Sequence, residues 1–567
     1  MALAAASVVN PTSEQKGRLQ LVDRSSPAAL QSGDGRSDWW RSAAIYQVYI
    51  RSFADGNGDG IGDLAGIRAR LPYVRDLGVD AIWITPWYRS PMADAGYDVA
   101  DYFDIDPLFG TLAEAEELIA EAHAMGLRVI ADVVPNHCSD QHEWFQAALR
   151  AGAGSIERDR FWFRPGKGQD GDLPPNDWLS RFGGSAWTRV DDGEWYLHSF
   201  AAEQPDFNWA NAEVRAEFRR ILRFWLDRGL DGFRIDVAHG LVKQDDLPDI
   251  GSDPDPLDLP NFDRPEVHDV WREWRKVVDD YPAGRVLVGE VWVASAEALA
   301  RYLRPDELHS AFNFDFLRCS WDARQIRRVI DDTLAAHAPV GAPATWVLSN
   351  HDVTRHVSRY GRADTSFDFA DGQFYTPTDL QLGIRRARAA ALLIMALPGC
   401  VYIYQGDELG LWEVVDIPDE LRQDPVWRRS GFTDRGRDGC RVPIPWEGEE
   451  PPFGFSPDTV EPWLPQPSEW RDRTVVTQNG DPSSMLELYR VALRIRRAEP
   501  ALGDGTMTWL PAPQNVLAFS RGDRFSCLVN LSETTVELPE RTVVLLASAL
   551  SQDGGIPPDA AVWLRTA

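Results

Sequence analysis

AIWITP (81–86), LAEAEELIAEAHAMG (112–126) and LRVIADVVPNH (127–137) decide the fold: an apolar run, a segment with apolar residues at helical spacing, and a second apolar run. The two runs are apolar on both faces, as strands of a parallel sheet covered on both sides must be. Gly126 stands where a helix C-cap is expected. A strand, a helix and a strand in that order form a βα rhythm.

The rhythm continues in both directions. AAIYQVYI (43–50) reads as a strand and LAGIRARLPYVRDLG (64–78) as the helix after it. Downstream, VRAEFRRILRFWLDRG (214–229) is a helix before the strand LDGFRIDV (230–237), and WREWRKVVDD (271–280) a helix before RVLVGEV (285–291). AFNFDF (311–316), TWVLSNHD (345–352) and CVYIYQGDE (400–408) read as three more strands. Eight strands alternating with helices predict an α/β chain folded as a (β/α)8 TIM barrel. The barrel is expected over 36–137 and 206–502, closed by the helix MLELYRVALRIRRAEP (485–500). Residues 138–205, rich in Gly, Pro, Asp and Trp and without a helical period, read as an inserted domain after strand 3. Residues 503–567 read as a small C-terminal antiparallel β domain, and 1–35 as a disordered tail.

Of 567 residues, 58 are Lys or Arg and 87 are Asp or Glu, a formal charge of −29. That balance argues against a nucleic-acid partner, which needs clustered basic residues, and against phosphorylated substrates. The 23 Trp, 14 Tyr and 24 Phe supply flat surface of the kind that suits the C–H faces of sugars. Cys138, Cys319, Cys400, Cys440 and Cys527 fit neither a zinc site nor a CxxC motif, and read as free thiols in a reducing compartment. The N-terminal MALAAASVVNPTSEQ lacks the basic flank of a secretion signal. AALLIMALP (390–398), the longest apolar stretch, is far short of the ~20 residues a membrane span needs. The expectation is a soluble, cytoplasmic monomer or homodimer with no membrane partner.

In such a barrel the chemistry sits at the C-terminal ends of the strands. Those ends carry Asn136 and His137, then Arg234, Asp236 and His239, then Glu290, then His351 and Asp352, then Asp407 and Glu408. A lone Asp there is ordinarily a helix N-cap. Carboxylates delivered to one rim by independent strands are costly, because like charges oppose each other's ionisation. Glycoside hydrolysis uses such a cluster: one carboxylate attacks the anomeric carbon, and a protonated carboxyl donates to the leaving oxygen. Arg234 precedes Asp236 by two residues, shares its side of the strand, and would keep it ionised. Glu290, beside Val291 and Trp292, suits the acid, and His137 and His351 suit hydrogen bonds to sugar hydroxyls.

These residues lie in motifs that resemble the α-amylase family of glycoside hydrolases, in its α-glucosidase and oligo-1,6-glucosidase branch. DVVPNH (132–137), QPDFNW (204–209), GFRIDVAH (232–239), GEVW (289–292) and SNHD (349–352) occur in the family's order, within a similarity running from about Trp39 to Pro500. The resemblance implies Asp236 as nucleophile, Glu290 as general acid/base and Asp352 as transition-state stabiliser. It places Arg234, His137 and His351 around the terminal glucose. DAGYD (94–98) resembles the family's DNGYD with Ala95 in place of Asn, and RVPIPW (441–446) resembles RTPMQW. By that likeness Asp94 and Arg441 clamp the 4- and 6-hydroxyls of a non-reducing glucose, Tyr97 stacks under its ring, and Phe163 and Phe182 wall the pocket. A clamp at one end makes the site a pocket and the action exo. Val237, next to the nucleophile, bears on linkage in this branch but does not decide it.

DGNGDGIGD (55–63) sets oxygens at alternate positions: Asp55, Asn57, Asp59, the carbonyl of Ile61, and Asp63. It resembles the first nine positions of an EF-hand loop, with Gly66 where the closing Glu would stand. The branch carries a structural Ca2+ or Mg2+ here, and no organic cofactor is expected.

The expected activity is a retaining exo-α-glucosidase that releases α-D-glucose from short malto- or isomalto-oligosaccharides. The alternative is an α-glucosyltransferase or sugar isomerase of the same branch, with sucrose or maltose as donor. Acceptor choice would rest on loops 241–262 and 360–380, and 245–260 reads as a mobile, solvated rim. A non-catalytic binding subunit is disfavoured, since Asp236, Glu290 and Asp352 are all present.

Overall fold

The computed structural model describes residues 38–252, 259–282, 284–367 and 376–566. The expected tail 1–35, and parts of the loops 245–260 and 360–380, lie outside them.

Eight strands form one sheet: β1 (Ala44–Val48), β2 (Ala81–Ile84), β3 (Arg128–Val133), β4 (Gly232–Ile235), β5 (Val286–Gly289), β6 (Ser310–Ala311), β7 (Thr345–Val347) and β8 (Cys400–Tyr404). They follow in the order β6-β5-β4-β3-β2-β1-β8-β7. Every ladder is parallel. Strands adjacent in sequence thus pair, except β6 with β7, and β1 pairs with β8, as in a nearly closed (β/α)8 barrel. All residues of β1, β2, β4, β5 and β8 are buried, which explains their unbroken apolar runs.

The helices between them start and stop where the sequence is punctuated. The helix Leu64–Leu77 is capped by Asp63, whose carboxylate accepts from the Gly66 N–H, and ends at Gly78 with φ 99°. It buries Leu64, Ile67, Leu71, Val74 and Leu77, one face at helical spacing. The helix Leu112–Ala124 opens with a Thr111–Glu114 capping box. Met125 is its C-cap, and Gly126 follows it in the left-handed region at φ 81°.

Two readings need correction. AFNFDF is not a strand of six: β6 stops at Ala311, and Asn313 caps a short helix, Phe314–Arg318, by accepting from Phe316 N–H at 3.0 Å. The reason is local: an Asn side chain that satisfies an orphan amide competes well with a sheet ladder. The inserted segment is also not free of helix. His142 caps a helix at Glu143–Ala151 that buries Phe145 and Ala148. Beyond it Phe163–Pro165, Glu194–Leu197 and Trp187–Arg189 form a three-stranded antiparallel sheet. Trp162, Trp178, Trp187 and Leu197 make a core of their own there with Leu247.

The C-terminal part is a five-stranded antiparallel sheet over Thr508–Trp509, Val516–Arg521, Phe525–Asn530, Ala560–Thr566 and Thr542–Ala547, in that spatial order. Trp563 seats it on the barrel helix Leu380–Ala396 by donating to the Leu392 carbonyl at 3.0 Å. Among the described residues no helix is long and apolar enough to cross a membrane.

Candidate active site

The barrel ladder itself delivers the carboxylates. Asp236 directly follows β4, and its N–H donates to the Val133 carbonyl at 2.9 Å. Glu290 directly follows β5, and its N–H donates to the Ile235 carbonyl at 2.9 Å. The two acids therefore stand on adjacent strand ends, at the same level of the barrel. Asp352 lies in the turn after β7, where its N–H donates to the Asn350 side chain at 2.9 Å.

Arg234 ties this floor together. Its Nη1 donates to Asp132 Oδ1 at 2.8 Å and to Asp236 Oδ1 at 2.7 Å, and its Nη2 to Glu290 Oε2 at 2.6 Å. One cation thus holds three carboxylates at almost no solvent exposure. Burial and the Glu290 carboxylate push Asp236 well above the usual carboxylate range, against the pull of Arg234. The expectation that Arg234 keeps Asp236 ionised is thereby corrected: burial and Glu290 outweigh it. Glu290 faces the solvent side through Oε1, which accepts from Trp292 Nε1 at 2.9 Å. Val237 N–H points at Glu290 Oε2 at 3.2 Å from a backbone with φ 45°, a rare conformation for a β-branched residue.

Asp352 is the opposite case. Burial would raise it, yet His351, Arg437, Arg441 and Arg234 around it hold it well below the usual range. Its Oδ1 accepts from Arg437 Nη1 at 3.0 Å and Arg441 Nη2 at 2.9 Å. These cations favour its charged form.

His351 Nδ1 lies 2.7 Å from Gln47 Nε2 and its Nε2 lies 2.6 Å from the Tyr97 hydroxyl. Tyr97 stacks on it with the rings 5.4 Å apart and 7° from parallel, so one face of Tyr97 is already occupied. His137, pushed down to about 4 by burial, is neutral. The Gln204 amide nitrogen sits 3.1 Å from its Nε2 and 3.2 Å from Asp94 Oδ2, linking the two.

The expected Asp94–Arg441 pair does not form. Arg441 is buried behind Asp352 and donates through Nε to the His351 carbonyl at 2.8 Å. The partner of Asp94 is Arg437, whose Nη2 lies 2.8 Å from Asp94 Oδ1. Arg437 and Arg441 flank a single 3-10 turn, Asp438–Cys440, which turns the first toward the cavity and the second into the wall. Motif resemblance pointed at the arginine that opens RVPIPW, and nothing in RGRDGC distinguished its own two.

Phe163 is also displaced from the expected wall. It stacks against Phe145 at 5.9 Å, with the Arg158 guanidinium 4.4 Å over its ring, inside the inserted domain. Phe182 does line the cavity, with Arg437 stacked 5.1 Å over it. Asp407 and Glu408 do not reach the rim: Glu408 accepts from the Tyr46 and Tyr73 hydroxyls, and Asp407 from Tyr404 N–H.

The cavity encloses about 420 Å³, with Asp236, Glu290 and Asp352 among its walls. Asp94, Tyr97, His137 and Arg437 line the same space, and Phe200, Phe262 and Trp292 add apolar surface. Asp132, Gln204, Arg437, Phe200 and Phe262 were given no role from sequence. The first two open motifs that were read as signatures only. Asp132 is fully buried, is pushed up to about 6 by that burial, and anchors Arg234, Trp83 Nε1 and the Tyr97 hydroxyl.

In the loop 55–63 the oxygens turn onto backbone amides. Asp55 accepts from Gly58 and Gly60 N–H, Asn57 from Asp59, Asp59 from Ile61, and Asp63 from Asn57 and Gly66. Among the described residues no three His, Cys, Asp or Glu side chains gather as a metal ligand set. The carboxylates as folded therefore do not form a site by themselves. Any cation here would also draw on Asn57 and the Ile61 carbonyl, through lone pairs the amide contacts leave free.

The sequence pattern of the family described as "Alpha amylase, catalytic domain" matches residues 47–505. A probable alpha-glucosidase of Rhizobium meliloti (strain 1021) is 40% identical over 88% of this chain and 91% of its own. An oligo-1,6-glucosidase of Heyndrickxia coagulans is 32% identical over 89% of this chain and 94% of its own. Among solved structures, the alpha-glucosyl transfer enzyme XgtA superposes with a TM-score of 0.84 at 36% identity, covering 94% of this chain and all of that one.

Proposed function

The chain belongs to the α-amylase family of glycoside hydrolases, and on that premise we propose that it is a retaining exo-α-glucosidase acting on short malto- or isomalto-oligosaccharides. The observation that carries the reading is Arg437, which bridges Asp94 and Asp352 in the cavity that holds Asp236 and Glu290. A charged pair at that point suits the 4- and 6-hydroxyls of a terminal glucose and would close that end of the site, so that cleavage would release one glucose at a time. In the first step Asp236 Oδ attacks the anomeric carbon while Glu290 gives its proton to the departing oxygen. In the second, Glu290 takes a proton from water, whose oxygen displaces Asp236 with net retention. Asp352, held anionic, opposes the positive charge that develops at the ring.

A second reading is supported by the likeness to an alpha-glucosyl transfer enzyme: the same intermediate is taken by a sugar hydroxyl instead of water. The proposal extends to a structural Ca2+ or Mg2+ at 55–63, supported by the alternating oxygens, and to a cytoplasmic location, supported by five buried, unpaired cysteines.

The test is product analysis by NMR with maltose, isomaltose, sucrose and trehalose supplied separately. Release of α-glucose as the first anomer supports the reading, and the relative rates give linkage. β-Glucose as the first anomer sinks retention. New di- or trisaccharides at low substrate favour transfer.

A further inference from the structure

Arg437 is asked to do two things at once, and its own side chain cannot fix how it does them. A guanidinium on a flexible stem has several rotamers, and each exposed one costs entropy to freeze. Nη1 must meet Asp352 and Nη2 must meet Asp94, 3.0 and 2.8 Å away. Something must hold the remaining edge.

That edge is held by Asp424. Its Oδ2 accepts from Arg437 Nε at 2.6 Å and from the Arg437 backbone N–H at 2.7 Å, and its Oδ1 lies 3.2 Å from Nη2. Asp424 is itself fixed. Its side chain is 0% exposed, and it caps the short helix Pro425–Arg429 by accepting from Val426 N–H at 3.0 Å. Asp438 Oδ2 receives the N–H groups of Gln423 and Asp424, which locks the segment. The backbone closes over it at Gly436, φ 63°, where an added Cβ would lie 2.6 Å from Asp424 Cγ. On the open side Phe182 meets the guanidinium face. Asp424 is fully buried behind Arg437 and does not line the cavity.

We propose that Asp424 is a positioning residue for the reaction: it grips the Nε edge and backbone of Arg437, and so aims the two Nη groups at Asp94 and Asp352. The inference rests on the α-glucosidase reading for its kinetic consequences, but not for its geometry. Asp424 acts on glucose binding and on the stabilising carboxylate together through Arg437, while Arg441 Nη1 stands farther off, 3.9 Å from its Oδ2.

A double-mutant cycle tests it. Asp424→Asn keeps shape and removes charge, and should lower kcat/KM on maltose or isomaltose by about 100-fold, as a misaimed binding group does. Arg437→Ala should lower it at least as far. The double variant should be no worse than Arg437→Ala alone, because Asp424 then has nothing to aim. Additive losses would overturn the proposal, since they would mean a general structural role. Gly436→Ala, which displaces Asp424 with its charge intact, should reproduce the loss if the Asn variant folds poorly. A crystal structure of Asp424→Asn gives a readout that needs no activity: Arg437 turned from Asp94 supports the proposal, and Arg437 unmoved overturns it. If the wild type releases no glucose from any α-glucoside, the α-glucosidase reading fails while this structural arm still decides.

Discussion

Arg437 Nη2 donates to Asp94 Oδ1 at 2.8 Å across 343 residues of sequence. The loop after β2 and the loop after β8 are thereby joined at the cavity by one charged hydrogen bond. Burial raises Asp94, and Arg437 offsets that more than any other neighbour. Arg437→Ala should therefore cost about 2–4 kcal/mol of transition-state binding, with KM raised and kcat lowered. Arg441→Ala, which loses contacts to Asp352, the His351 carbonyl and the Tyr49 ring but none to Asp94, should lower kcat with KM nearly unchanged. Steady-state kinetics on one substrate checks both, and the reverse pattern would restore Arg441 as the clamp.

On the retaining mechanism proposed above, Asp236→Asn should reduce turnover by at least about 10³-fold, because it removes the carboxylate assigned to form the glycosyl ester. Folding should survive. Burial and Glu290 already oppose the charge on Asp236, so removing that charge relieves repulsion. Thermal unfolding alongside kinetics is the check, and wild-type-like activity would overturn the nucleophile assignment.

Glu413 lines the cavity wall, and burial pushes it up to about 7 against the Arg355 N–H and the Arg355 and Arg362 charges. A carboxyl raised above its ordinary value is fully stabilising below about 4.5, and that stability is lost as pH rises through about 7. Glu413→Gln should flatten the curve. Relative to wild type it should gain about 2–3 kcal/mol between pH 5 and pH 8. Parallel melting curves across that range would show that Glu413 does not titrate there.

Ala95 occupies the left-handed region at φ 53°. A Cβ there costs about 1 kcal/mol, which Gly avoids and Asn tolerates better. Ala95→Gly and Ala95→Asn should each stabilise the fold by up to about 1 kcal/mol with activity retained. Denaturant midpoints measure this, and a loss of stability in both variants would contradict it.

Chelation should lower Tm if the loop 55–63 binds a divalent ion, and added Ca2+ or Mg2+ should restore it. Saturation at 100 times Kd is worth about 2.7 kcal/mol. Asp59→Ala, a half-exposed ligand outside the helix cap, should abolish the response. A Tm indifferent to chelator removes the metal proposal.

The barrel was legible because its strands are buried on both faces and its helices carry their own caps. Those are local consequences of burial and of the orphan amides at helix ends, and AIWI (81–84) or Thr111–Glu114 express them within a few residues. The carboxylates were legible for a related reason. Strand ends in a barrel share a rim, so Asp236 and Glu290 could be placed together from chain order alone. β6 was misread because one Asn can end a strand as easily as it can sit in one.

Charge pairing and protonation were decided only by the tertiary structure. Sequence named Arg441 as the partner of Asp94, while the 3-10 turn at 438–440 turned Arg437 to the cavity instead. Sequence expected Arg234 to keep Asp236 ionised, while Arg234 is shared with Asp132 and Glu290, and burial raises Asp236 against its pull. Periodicity and motif order follow from which residues must be buried, a property each segment carries in itself. Which cation meets which anion depends on a few ångströms of loop geometry and on how much water is excluded, and only the folded chain sets those.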